Sequence, residues 1–177
     1  MVKKHVARLD GVFLNAGIRQ FGPIEGMTPK NFEDMFGVNV RGPYFQLQSL
    51  LSLLANPSAV VLNASVVAEL GMATTSIYSA TKAAVVSLGK SLAVELAPRG
   101  IRVNTLSPGP ITTPIYQKLG LPVDAQKGFE DHMAAQSLFK RFGTAAEVAK
   151  LARFLLTAES SYIVGENILI DGGVRLT

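Results

Sequence analysis

The sequence predicts an α/β fold: a parallel sheet with helices packed on both faces. Two observations carry this. Short apolar runs alternate with longer stretches of helical spacing, and such alternation implies right-handed crossovers between parallel strands. The runs are also continuously apolar, as expected of strands covered on both faces. The 177 residues are 48% hydrophobic and 17% charged, a globular balance able to bury a core. No internal repeat or low-complexity linker divides the chain, so one domain over 1–177 is expected.

Residues 1–10 read as the tail of a helix feeding a buried strand at 11–14, which stops at Asn15-Ala16-Gly17. Thr28-Pro29 marks a helix start, with Thr28 as cap and Pro29 at the first helical position. Helical spacing then continues to about residue 55, with a kink or split expected at Gly42-Pro43. Residues 59–63 form a second strand. A helix follows from Thr75 to about Ala97, stopped by Pro98-Arg99-Gly100. Residues 101–106 form a third strand, closed by Ser107-Pro108-Gly109-Pro110. The stretch 111–142 is irregular by pattern, with short helical pieces expected. Thr144 with Glu147 makes a capping box opening a helix to about Thr157. The last strand is 167–170, before Asp171-Gly172-Gly173.

Composition removes several function classes. With no cysteine, the chain has neither a disulfide framework nor a thiolate metal site, and no metal is expected. The net charge of +4 is modest. Apart from Lys3, Lys4 and Arg8, read as a solvated helix end, the basic residues are scattered, so no nucleic-acid surface is expected. No apolar run is long enough to cross a bilayer. The opening Met1-Val2-Lys3-Lys4-His5 resembles the start of a signal peptide, but Arg8 and Asp10 interrupt what should be its apolar segment. A soluble cytoplasmic protein is the expectation.

Tyr78 and Lys82 lie four residues apart, hence one turn apart on one helix face. A phenol with an ordinary pKa near ~10 yields its proton reluctantly at neutral pH. A fixed ammonium nearby stabilises the phenolate and lowers that pKa. The pair is therefore a candidate general acid/base. Ser65 lies just past the strand ending at Asn63, and ligand sites gather at the carboxyl ends of parallel strands.

These residues belong to an ordered set: Leu14-Asn15-Ala16-Gly17, Val38-Asn39-Val40, Asn63-Ala64-Ser65, Tyr78-Ser79-Ala80-Thr81-Lys82, Asn104 and Pro108-Gly109-Pro110-Ile111-Thr112-Thr113. In this set the chain resembles the short-chain dehydrogenase/reductase family, in the branch of ketoacyl reductases and sugar or alcohol dehydrogenases. The resemblance runs from about Leu9 to Gly173. It implies an NAD(P)-dependent oxidoreductase interconverting a ketone and a secondary alcohol. Tyr78 would exchange a proton with the substrate oxygen, and Ser65 would hold and polarise that oxygen. Lys82 would lower the tyrosine pKa and bond the nicotinamide ribose. Asn39 would hold a water relaying protons from Lys82. Asn15, Ala16 and Gly17 would flank the adenosine part of the cofactor. Pro108, Gly109, Ile111 and Thr113 would meet the nicotinamide end. Leu14 departs from relatives that often carry another Asn there. The Tyr78–Lys82 spacing matches the alcohol/ketone members rather than enoyl reductases, whose spacing is longer.

Relatives begin with a strand and a glycine-rich turn of the Gly-xxx-Gly-x-Gly kind, which brings a helix N-terminus to the pyrophosphate. None of the sixteen glycines here falls in that spacing. The resemblance places Met1 near the third helix of relatives, with about 75 residues of strand–helix units before it. The remaining strand order would be 4-5-6-7 of a Rossmann-like sheet, with the strand at 11–14 on an edge. Cofactor binding by this polypeptide is expected to be impaired, and the choice between NAD and NADP is not encoded in it. Relatives also pair the helices matching 40–55 and 75–97 across one dimer axis. They pair the last strand and the helix from Thr144 across another, so a homodimer or homotetramer is expected. The alternative reading is a catalytically inactive short relative acting as an oligomerisation or binding module. Substrate identity is not readable beyond a ketone or secondary alcohol of moderate size. Ile115, Tyr116, Leu119, Leu121, Phe129 and Met133 point to a partly apolar lid.

Overall fold

The computed structural model describes residues 6–113 and 123–177. A four-stranded parallel sheet organises them, in the order β1 (Leu9–Leu14), β2 (Leu54–Asn63), β3 (Ile101–Pro108) and β6 (Asn167–Ile170). This is the order expected from the sequence, with β1 at an edge. A two-stranded pair, β4 (Ile111–Thr112) and β5 (Gly143–Thr144), joins the two ends of the lid segment.

Alternation along β2 separates two cores. Val60 and Leu62 face one side and pack with Val85, Leu92 and Leu96 of α3 (Ser76–Leu96), together with Leu47 of α2 (Gly42–Leu50). Val61 faces the other side and packs with Leu106 and with Ala152 and Leu155 of α5 (Ala145–Leu156). A strand whose successive residues enter opposite cores must be apolar throughout, which is why its sequence shows no alternation.

The helix starts follow their capping chemistry. The Thr28 hydroxyl accepts from the Asn31 amide at the start of α1 (Pro29–Phe36), and the Asn31 side chain answers to the Thr28 N–H. Thr144 and Glu147 make the same reciprocal pair at α5, each satisfying backbone donors that a helix start leaves open.

Several boundaries differ from expectation. Leu9 and Asp10 belong to β1, and residues 6–8 are not helical. Residues 1–5, with Lys3 and Lys4, lie outside the described residues, and Arg8 pairs with Asp10. The helical stretch ends at Leu50, and β2 already begins at Leu54, because Leu54 pairs into the sheet beside Leu9. The break between α1 and α2 is a π turn over Gly37–Arg41, one step before Gly42-Pro43. Ser107 and Pro108 extend β3 by pairing with Leu169 and Ile170. Among the described residues of the lid, 123–136 form a single helix, α4 (Val123–Gln136); residues 114–122 lie outside the described residues. Among the described residues no helix is long and apolar enough to cross a membrane, and no group of acidic residues and histidines could hold a metal ion.

Candidate active site

A cleft of about 720 Å³ opens at the carboxyl ends of β1, β2 and β3. Strand ends in a parallel sheet leave such a crevice where neighbouring crossovers diverge. The exit of β1 supplies Asn15, Ala16 and Gly17, and the exit of β2 supplies Ser65. Tyr78 and Lys82 enter from the first turns of α3, and Pro108, Gly109, Ile111 and Thr113 line the opposite wall. The structure thus brings together ten of the eleven residues singled out from the sequence. Asn39 lies behind the cleft wall, 2% exposed.

Lys82 is the most constrained charge in the cleft. Its side chain crosses from α3 to the end of β2, where Nζ donates to the Asn63 carbonyl at 2.9 Å. The same ammonium stands 5.7 Å from the Tyr78 ring centroid. Lys82 is 4% exposed, and burial lowers its pKa from 10.5 to about 8. It is therefore still protonated at neutral pH, a cation held beside the phenol. Between about 8 and 10.5 the folded chain binds fewer protons than the unfolded one, so stability rises with pH across that window. The expected gain is on the order of 3 kcal/mol. It is read from urea midpoints of wild type and Lys82→Met on either side of the window. Equal pH slopes in the two proteins would show that Lys82 does not carry it.

Tyr78 is half-buried, and the Phe21 ring meets it edge-on at 5.9 Å between centroids. Ser65 caps the short turn Val66–Ala68, with the Val67 N–H pointing at Oγ from 3.5 Å. That long contact leaves the hydroxyl able to turn toward the cleft.

Asn39 sits in the π turn and uses its whole side-chain amide inside the protein. Oδ1 accepts from the Ile18 N–H at 2.8 Å, and Nδ2 donates to the Ile18 carbonyl at 2.9 Å. Nδ2 also reaches the Thr81 hydroxyl at 3.0 Å, and that hydroxyl donates to the Tyr78 carbonyl at 2.7 Å. One asparagine therefore ties the β1 exit loop to the turn of α3 that carries Tyr78. The Asn39 backbone carbonyl has a different situation. Its α-helical donor would be residue 43, a proline without an N–H.

Gly17 shows why the exit of β1 carries no side chain there. A Cβ would lie 3.3 Å from Asn39 Oδ1 and 3.4 Å from Lys82 Nζ, closing the approach to the ammonium. Gly109 is tighter: a Cβ would stand 2.7 Å from the Asp171 Cα. Asn63 Nδ2 donates to Asn15 Oδ1 at 2.8 Å, and Asn63 Oδ1 is buried without a partner at the cleft floor. Asn104 acts away from the cleft, fixing the loop before β6 through the Ile163 carbonyl and the Glu166 N–H.

A polar chain joins the Ser65 turn to β6 and Arg175. Ser107 Oγ donates to Asn167 Oδ1, and Asn167 Nδ2 donates to Glu69 Oε1, both at 2.7 Å. Glu69 Oε2 pairs with Arg175 at 3.0 Å, and Asp171 accepts the Arg175 backbone N–H.

Sequence reasoning missed part of the lining: Arg19, Phe21, Met72, Val66, Val67 and the first turn of α5 through Ala145 and Val148. The capping box at Thr144 was the one signal that could have placed that last wall. Met133 of the expected lid does line the cleft. Ile115, Tyr116, Leu119 and Leu121 lie outside the described residues, as does the side chain of Phe129.

Comparison with known proteins agrees with this arrangement. The family profile described as "Enoyl-(Acyl carrier protein) reductase" matches residues 1–175. Dehydrogenase/reductase SDR family member 6 of Xenopus laevis is 36% identical over 98% of this chain and 72% of its own length. Levodione reductase of Leifsonia aquatica is 36% identical over 94% of this chain and 64% of its own. The ligand-free aldohexose dehydrogenase of Thermoplasma acidophilum superposes with a TM-score of 0.92 at 27% identity, covering 99% of this chain and 71% of that one. The structure titled "ElxO with NADP Bound" superposes with a TM-score of 0.84 at 32% identity, covering 99% and 71%. The chain thus spans about seven-tenths of the relatives it matches. A parallel sheet in this order, a Tyr-xxx-Lys helix facing a serine at the preceding strand end, and this similarity over nearly all its residues together show that the chain belongs to the short-chain dehydrogenase/reductase family.

Proposed function

We propose that this chain carries the proton-handling half of an NAD(P)-dependent oxidoreductase that interconverts a ketone and a secondary alcohol. The observation that carries the proposal is the convergence of Ser65, Tyr78 and a buried, protonated Lys82 in one cleft. Such a set has no use in packing. It holds a cation where desolvation opposes it, which is a feature of functional sites.

The cleft fits the nicotinamide end of a dinucleotide. Gly17 keeps its wall open to the Lys82 ammonium, and Asn63 Oδ1 is a buried acceptor at its floor. Lys82 would hold the ribose hydroxyls, while the walls at Asn15–Gly17 and Pro108–Thr113 would hold the rest. When bound, that cofactor supplies or takes up the hydride. The remaining chemistry belongs to the chain. Ser65 donates a hydrogen bond to the substrate oxygen and polarises the carbonyl. Tyr78 gives its proton to that oxygen in reduction and removes it in oxidation. Lys82 stabilises the phenolate that forms. The Asn39 carbonyl, deprived of its helical donor by Pro43, holds the water through which Lys82 regains a proton.

The enoyl wording of the family profile makes a carbon–carbon double bond the competing substrate, but the four-residue Tyr78–Lys82 spacing favours the carbonyl. The exposed apolar residues Phe45 and Val94, on α2 and α3, and Tyr162 beside β6 support a homodimer or homotetramer. A reducing, cytoplasmic setting accords with the absence of cysteine.

The test is a panel of ketones, secondary alcohols and one enoyl thioester, assayed with NADH or NADPH and their oxidised forms at millimolar concentration. Carbonyl reduction, with the alcohol identified by mass spectrometry, is the expected result. Reduction of the enoyl thioester alone would replace the ketone reading, and no turnover at all would favour a binding module. Without a glycine-rich turn the 177-residue polypeptide binds the dinucleotide weakly, so calorimetric titration should show no micromolar affinity for either cofactor. Micromolar binding would defeat that part of the proposal.

A further inference from the structure

Tyr78 is the third residue of α3, on a turn that its own cap does not secure. The cap residue, Thr75, makes no side-chain hydrogen bond to the helix start. Its buried hydroxyl is turned instead to the Met72 carbonyl at 2.7 Å and to Ser79 Oγ at 2.9 Å. A helix start leaves its first backbone N–H groups without partners inside the helix. The placement of a side chain there therefore leans on what packs against it. Two neighbours flank the Tyr78 ring. Lys82 Nζ stands 5.7 Å from its centroid. The Phe21 ring meets it edge-on, with 5.9 Å between centroids and 65° between planes. Edge-to-face pairs at such a separation attract beyond the area they bury.

Phe21 is itself fixed. Its ring is engaged by the Arg19 guanidinium, whose carbon stands 5.2 Å from the centroid. The next residue, Gly22, donates its N–H to the Thr74 carbonyl at 2.9 Å. Thr74 has a φ of +67°, a conformation that a β-branched residue rarely adopts. Such a conformation persists only where the surroundings over-determine it, and it gathers at functional sites. Here the Thr75 hydroxyl ties the turn to Ser79 from one side, and the Gly22 N–H holds its carbonyl from the other. A strained turn four residues before Tyr78 thus presents its carbonyl to the loop that carries Phe21.

We propose that Phe21 is a positioning residue for Tyr78: it holds the phenol ring so that the hydroxyl keeps one direction in the cleft. This rests on the ketone/alcohol reading above and deepens it. Phe21 makes no bond to the reacting atoms in this role and acts through the tyrosine. A general acid must stand within hydrogen-bond reach of the atom it protonates, and a small misplacement of such a group slows the reaction severely. The edge of the Phe21 ring bars one side on which the phenol could swing away, and the Gly22–Thr74 bond keeps that edge in place.

Two substitutions make the test. Phe21→Leu removes the ring and keeps an apolar side chain, while Phe21→Tyr keeps the ring. Each protein is prepared with carbon-13-labelled tyrosine rings, and the Tyr78 signal is assigned by its loss in Tyr78→Phe. NMR relaxation then gives the order of the Tyr78 ring without any cofactor. In Phe21→Leu the order parameter should fall into the flexible range, below about 0.6, and in Phe21→Tyr it should stay at the wild-type value. Ketone reduction is measured in parallel at millimolar cofactor. Phe21→Leu should lower kcat about tenfold to a hundredfold while the KM for the ketone stays within about twofold. Its solvent deuterium isotope effect on kcat should grow, and Phe21→Tyr should restore both. A Tyr78 ring as well ordered in Phe21→Leu as in wild type overturns the inference. So does a raised KM at unchanged kcat, which would make Phe21 a substrate wall. The same kcat loss in a Tyr78→Phe background, or a collapsed urea midpoint in Phe21→Leu, overturns it too. The two readings fail separately. Turnover with a ring indifferent to Phe21 removes the positioning role alone. A wild type without turnover removes the ketone chemistry, and the ring order then decides by itself whether Phe21 holds Tyr78.

Discussion

Tyr78→Phe is expected to lower carbonyl turnover by about a hundredfold to ten-thousandfold, the range that a positioned general acid contributes. The fold should be nearly untouched. Phenylalanine keeps the ring against Phe21 and beside the Lys82 ammonium, so only the hydroxyl is lost. The urea midpoint should therefore change by less than the equivalent of ~1 kcal/mol. The measurement is kcat for ketone reduction at millimolar cofactor, paired with the unfolding curve of the same sample. An undiminished kcat would take Tyr78 out of the chemistry. A lost activity with a collapsed midpoint would make its role structural.

Asn39→Ala should behave differently, because the asparagine serves structure and site together. It removes the bonds to the Ile18 N–H and carbonyl and to Thr81 from a side chain that is almost fully buried. Buried groups left without partners cost about 1–3 kcal/mol each, less where water can replace the amide. A net loss of about 2–4 kcal/mol is expected, read from chemical denaturation. Turnover should fall as well, since the β1 exit loop and the Tyr78 turn lose their tie. Thr81→Val separates these effects. It cuts the link to α3 while leaving Ile18 clamped, so it should slow turnover with a smaller loss of stability. If Asn39→Ala is as stable as wild type, the clamp has no energetic weight and the loop is held by other contacts.

Much of this architecture is legible in the sequence because its signals are local. Caps at Thr28 and Thr144 announce helices through the residues that satisfy their first turns. The apolar runs at 59–63 and 101–106 announce buried strands. Tyr78 and Lys82 share a face because helix geometry requires it. The strand order, by contrast, came from family resemblance, since periodicity alone does not rank parallel strands. Features that depend on distant partners were not readable. Residues 54–55 continue a helical pattern, yet both belong to β2, and Leu54 pairs with Leu9 of β1. Tertiary pairing overrides local preference there. The π turn falls at Gly37–Arg41 rather than at Gly42-Pro43. The effect of a proline is felt upstream, where its missing N–H should have bonded. Arg19, Phe21 and Met72 carry no spacing signal at all. They become cleft residues only because the β1 exit loop and the loop before α3 meet, the Gly22 N–H bonding the Thr74 carbonyl. The same holds for Asn39, whose partners lie 21 and 42 residues away.

The chain of contacts from Ser107 through Asn167 and Glu69 to Arg175 has a consequence for cooperativity. The turn that presents Ser65 contains no regular strand or long helix to stiffen it. Part of its rigidity is lent by Asn167 and Arg175, through the Glu69 carboxylate that they hold from the other side. Release of Glu69 by Arg175 and Asn167 therefore also loosens the turn that presents Ser65. Arg175, remote in sequence from every proposed reacting group, belongs mechanically to the support of the Ser65 turn.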